Sequence, residues 1–186
     1  YPTVDHFLPA ATRLFAPIHR HELVVVAGRP GTGKTIWGLA SAWVLAKGTT
    51  EDAPVVFVSC EMGKTELLDR IVRMEAGADC IGTHPAERKL YLGTLHKVAG
   101  QKNFIVFEHA SARKLGWLEA RIKLMVETGK RPRMIVVDYL QLLDAPPGTS
   151  ASNRERQVAE LSRRLKLLAK DCKTPIMLLC QLNREV

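Results

Sequence analysis

Residues 28 to 35 read GRPGTGKT, which fits the spacing G-x-x-x-x-G-K-[ST]. They join an apolar, β-rich run, LVVVAG, to a stretch of helical period, KTIWGLASAWVLAKG, and that context turns the pattern into a physical claim. Gly28, Gly31 and Gly33 let the backbone curl so that its N–H groups face a β-phosphate at the positive end of the following helix. Arg29, Pro30 and Thr32 complete the cradle. Lys34 brings a mobile charge to the β- and γ-phosphates, and the Thr35 hydroxyl is placed to bind Mg²⁺. ATP with Mg²⁺ is therefore the expected ligand. GRPGTG does not match the dinucleotide pattern G-x-G-x-x-G, so nicotinamide chemistry is not expected.

Two acids end apolar runs elsewhere in the chain. Glu61 follows VVFVSC and Asp138 closes MIVVD. Parallel strands deliver their C-terminal ends to one edge of the sheet, which is the edge where the phosphate loop lies. Asp138 is then the acid for a metal bridging the phosphates, and Glu61 is placed to orient and deprotonate an attacking water. Glu61 has a plainer alternative, capping the next helix or pairing with Lys64. Gln181, at the end of LLCQ, would arrive on the same edge, where an amide can sense the γ-phosphate. Polar residues often end strands, so its position alone does not decide its role.

The elements that must position these residues are legible as alternating patterns. Strands are expected at 23–28, 55–60, 103–107, 134–138 and 175–181, and helices at 34–48, 65–77, 85–99, 111–128 and 154–170. Near-continuous apolar strands separated by helices imply a mostly parallel central sheet of about five strands with helices on both faces. The 186 residues suit one domain, since domains commonly run to roughly 100–200 residues. At 46% hydrophobic and 25% charged, the composition excludes a disordered chain. Cys60, Cys80, Cys172 and Cys180 lack metal-ligand spacing and read as reduced thiols. No apolar run nears the ~20 residues of a bilayer span, and no signal pattern opens the chain, so a cytoplasmic location is expected. A net charge of +8 favours a polyanionic partner.

RPGTGKT, SCEM, VVDYLQLL and QLNR, in that order, closely resemble the motifs of the DnaB-type replicative DNA helicase motor domain, a RecA-like P-loop ATPase. The resemblance runs from about Leu23 to Arg184. It implies that Glu61 at the end of the second strand is the general base, with Asp138 as the metal-side acid. It also implies a homo-hexamer that hydrolyses ATP at subunit interfaces and draws single-stranded DNA through its centre, with a primase and a helicase loader as partners. The loop 144–153 falls where family members place a DNA-facing loop, and Arg154 and Arg156 beside it are the DNA candidates. In the helix that follows, Val158, Leu161, Leu165 and Leu168 form a core-facing stripe that leaves a basic outer face.

The lead-in, residues 1–22, departs from the family by lacking its glycine-rich threonine-glycine pattern. The family also continues past QLNR into a segment with a second DNA loop and an arginine finger. The expectation is thus one domain, 1–186, truncated at its C-terminal end. An arginine finger contributes ~10³–10⁵ in rate, so the chain by itself is expected to bind nucleotide and hydrolyse it slowly. The alternatives are a RecA-like recombination or repair ATPase, or a non-motor nucleotide- or DNA-binding partner of a helicase. Trp37, Trp43 and Trp117 are expected as core or interface residues on helices, and the scattered histidines carry no expected chemistry.

Overall fold

The computed structural model describes residues 3–4, 18–77, 84–108, 114–138 and 154–182. The loop 144–153, the part of DYLQLL after Asp138, and Asn183 and Arg184 of QLNR lie outside the described residues, as does the side chain of Arg154.

In chain order the elements are β1 (Thr3–Val4), β2 (Ile18–His19), β3 (Leu23–Gly28), α1 (Lys34–Lys47), β4 (Val55–Ser59), α2 (Lys64–Ala76), α3 (Pro85–Ala99), β5 (Phe104–Phe107), α4 (Leu115–Glu127), β6 (Met134–Asp138), α5 (Arg154–Cys172) and β7 (Ile176–Gln181). The main sheet has five strands in the order β3-β7-β6-β4-β5, and every pairing in it is parallel. β1 and β2 make a separate antiparallel ladder within the lead-in, Thr3 opposite His19 and Val4 opposite Ile18.

The central strands β4 and β6 are buried at every residue. That is why their sequences are unbroken apolar runs rather than alternating ones. Side-chain alternation divides each strand between two cores. Val56, Val58, Ile135, Val137, Ile176 and Leu178 meet α4 and α5 through Leu118, Ile122, Leu161, Leu165 and Leu168. Val55, Phe57, Met134, Val136, Met177 and Leu179 meet α1 and α2 through Leu39, Ala42, Trp43, Leu67 and Ile71. The α5 stripe thus packs as the periodicity predicts, Leu161, Leu165 and Leu168 buried and Val158 at the margin. Trp43 is in the core, and Trp37 packs at its edge. Trp117 is 38% exposed and lies edge-on to Phe107.

Helix α1 must come close to the sheet to present its N-terminus at the strand ends. Gly38 provides that approach: a Cβ there would stand 2.8 Å from Leu179 Cδ1 and 3.2 Å from Val136 Cγ1, both in the core. Gly38→Val is expected to cost about 1–3 kcal/mol through overpacking, measured by urea denaturation. Wild-type stability in that variant would show that helix and sheet are not so tightly apposed.

Candidate nucleotide-binding and hydrolysis site

Register brings the predicted residues together. Gly28 of β3 pairs with Gln181 of β7, and Ser59 of β4 pairs with Asp138 of β6. The phosphate loop, the Glu61 turn, Asp138 and Gln181 consequently leave the sheet at one edge. Pro30, Gly31, Gly33, Lys34, Thr35, Glu61, Asp138 and Gln181 line a single cleft of about 340 Å³, together with Ile36 and Arg70.

The loop has the shape of an anion cradle. Gly31 and Gly33 adopt φ of 76° and 84°, a region costly for any residue with a side chain. At Gly28 a Cβ would meet Thr32 Oγ1 at 2.8 Å. The Arg29 carbonyl gathers the loop by accepting from Thr32 Oγ1 at 2.8 Å and from Lys34 Nζ at 2.7 Å. Lys34 is thereby held over the loop, close to where a phosphate would compete for it. Helix α1 has Gly33 as its N-cap, no capping side chain, and no acid in its first turn. Its first N–H groups and the positive end of its dipole are left for an anion.

Glu61 stands on a short turn whose ends are tied down. Ser59 Oγ donates to the Met62 carbonyl at 2.7 Å and accepts from Met62 N at 3.2 Å. Cys60 N donates to the Asp138 carbonyl at 2.8 Å, which fixes the turn to β6. Ser59, Cys60 and Met62 are buried while Glu61 is exposed, so the acid projects from a rigid base into the cleft. Glu61 does not cap α2, whose N-cap is Gly63, and no ion pair joins it to Lys64 among the described residues.

Asp138 is only 2% exposed. Burial pushes its carboxyl above the ordinary range and the Glu61 carboxylate adds to this, opposed by the Thr35 hydroxyl hydrogen-bonded to it and by the positive charges of Lys34 and Arg70. The Thr35–Asp138 pair supplies hard oxygen donors at the mouth of the phosphate loop, and such a donor set fits Mg²⁺. Gln181 is half-buried and lines the cleft beside Gly28, its partner across the sheet.

Two residues were missed by sequence reasoning. Arg70 of α2 lines the cleft while bonding Glu66 at 3.0 Å. In the sequence it reads as half of an ordinary i,i+4 surface pair, but it borders the Leu67–Ile71 stripe and so sits where the helix meets the sheet edge. Glu108 follows β5 and accepts from Lys64 N at the start of α2. It obeys the rule that singled out Glu61 and Asp138, an acid ending an apolar run, and that rule could have found it. Of the DNA candidates, Arg156 is exposed on the first turn of α5.

Comparison with known proteins bears on the fold and the family. The family model for the DnaB-like helicase C terminal domain matches residues 9–186. The chain is 32% identical to the replicative DNA helicase DnaB of Leifsonia xyli, over 90% of this chain and 36% of that protein. It is also 32% identical to the replicative DNA helicase DnaC of Bacillus subtilis, over 94% of this chain and 38% of the relative. It therefore spans little more than a third of these relatives. A solved DnaB-like replicative helicase, described with its primase interactions, superposes with a TM-score of 0.73 at 26% identity, covering 90% of this chain and 41% of that one. A KaiC-like protein from Pyrococcus horikoshii shares the fold alone, with a TM-score of 0.64 at 16% identity over 97% of this chain and 71% of that one. The five-stranded parallel sheet is thus that of a RecA-like fold, and the chain belongs to the family of DnaB-like helicase C-terminal domains.

Proposed function

We propose that this chain is the ATP-hydrolysing motor domain of a replicative DNA helicase, coupling hydrolysis to movement along single-stranded DNA. The observation that carries the reading is the convergence of Lys34, Thr35, Glu61, Asp138 and Gln181 on one cleft beside an open helix N-terminus. Backbone N–H groups of residues 31–35 and the Lys34 side chain bind the β- and γ-phosphates of ATP, and water is positioned by Glu61, which takes its proton as the bond to the γ-phosphate forms. The leaving oxygen departs with ADP. Thr35 and Asp138 hold Mg²⁺, which when bound neutralises charge on the phosphates. Arg70 and Gln181, which line the same cleft, contact the γ-phosphate and register its loss. Arg154, Arg156 and the loop 144–153 face DNA, and the net charge of +8 favours that partner. The working assembly is a cytoplasmic homo-hexamer that meets a helicase loader, as the family resemblance implies, and a primase, the partner named for a solved DnaB-like helicase.

The test is strand separation by the intact protein on a labelled forked duplex. The expected result is release of the labelled strand with ATP and Mg²⁺, and none with a non-hydrolysable ATP analogue. DNA binding with no ATP-dependent release would leave the chain as a nucleotide- or DNA-binding module and overturn the motor reading.

A further inference from the structure

Helices α1 and α2 both start from the strand-end edge of the sheet, and their N-termini are treated in opposite ways. α1 is left open, with neither a capping side chain nor an acid in its first turn. α2 also begins on a glycine, Gly63, which has no side chain to offer. Its first N–H, that of Lys64, is instead taken by the Glu108 carboxylate from the end of β5, 44 residues away. A Cβ at Gly63 would lie 3.7 Å from Glu108 Oε2, an ordinary contact, so the approach of the carboxylate does not depend on glycine there.

The consequence lies in the turn between. Residues 59–63 carry Glu61 and are pinned where they leave β4 by the Ser59 hydroxyl and the Asp138 carbonyl. Those contacts hold the turn as far as Met62 but do not reach its junction with α2 at Lys64. The Glu108 bond does, tying Lys64 to the neighbouring strand β5, which itself pairs with β4 through Val58 opposite Phe107. A carboxylate at a helix N-terminus also gains from the helix dipole, so the tether is charge-assisted. With both ends fixed, Glu61 has little freedom except in its own side chain.

We infer that Glu108 is a positioning residue for ATP hydrolysis, holding the turn that aims Glu61 at the attacking water; this rests on the reading of Glu61 as general base. Glu108 lies outside the residues lining the cleft, so it acts through Glu61 and leaves phosphate binding alone.

The experiment is a double-mutant cycle in the intact protein, with Glu61→Gln, Glu108→Ala and the pair, measuring single-turnover ATP cleavage, nucleotide affinity and thermal unfolding. Glu108→Ala is expected to slow cleavage about tenfold with ATP affinity changed less than about twofold, because misaiming a base costs rate and not binding. Glu108→Gln, whose amide oxygen still accepts from Lys64 N, restores most of that loss. In the Glu61→Gln background, Glu108→Ala costs nothing further, a non-additivity that a merely structural role would not produce. Wild-type cleavage in folded Glu108→Ala, or an additive loss in the double variant, overturns the inference while leaving the Glu61 reading standing. Full cleavage in Glu61→Gln overturns that reading itself. Should Glu108→Ala not fold, Glu108→Asp replaces it under the same criteria, since it keeps the charge and shortens the reach by one methylene.

Discussion

Glu61→Gln is expected to lower ATP turnover by about 10²–10⁴-fold while leaving Mg-ATP affinity within about twofold, the range for loss of a positioned general base. The amide is nearly isosteric and cannot accept the proton of water. The fold gives little reason for binding to change, since Glu61 is exposed and forms no hydrogen bond or ion pair among the described residues. The turn beneath it is held by Ser59 Oγ and by Cys60 N, neither of which involves the Glu61 side chain. Phosphate release and fluorescent-nucleotide titration measure the two quantities separately. Loss of affinity in step with turnover would make Glu61 a ligand of the nucleotide and not a base.

Asp138→Asn is expected to act in opposite directions on stability and function. The folded-state carboxyl is raised above its ordinary value, chiefly by burial, so the native state favours its protonated form. Its stabilising contribution is therefore present at low pH and lost as pH rises through the raised value, and at neutral pH the buried charge weighs against the nucleotide-free fold. Asparagine removes that charge and keeps an oxygen for the Thr35 hydroxyl. Without nucleotide and magnesium, the variant should resist urea better than wild type at neutral pH, the difference shrinking as pH falls into the acid range. Its Mg²⁺-dependent turnover should fall about a hundredfold or more, because the metal loses an anionic ligand. A variant less stable than wild type at neutral pH would mean that the Thr35, Lys34 and Arg70 contacts outweigh burial.

The sheet was legible because its central strands are buried on both faces. LVVVAG and MIVVD coincide with β3 and β6, and PIMLLCQ, VVFVSC and NFIVF each run one residue beyond the strand they predict. Strand-end residues were legible for the same reason, since a polar group closing an apolar run in a parallel sheet can only emerge at the ligand edge. Glu108 and Arg70 were harder. The Glu108 bond crosses from the end of one strand to the start of a helix 44 residues earlier, and no local pattern encodes it. Arg70 has a local partner in Glu66, which masks its proximity to the cleft. The β1–β2 ladder pairs two residues with two across a long connection, too short for any periodicity to register.

The most direct test of the account is the per-molecule ATP hydrolysis rate of the intact protein across a range of concentrations, with and without single-stranded DNA. The expected rate rises with concentration, as interfaces between copies complete the site, and rises further when DNA is added. A rate that stays flat with concentration and indifferent to DNA, while Mg-ATP still binds, would contradict it.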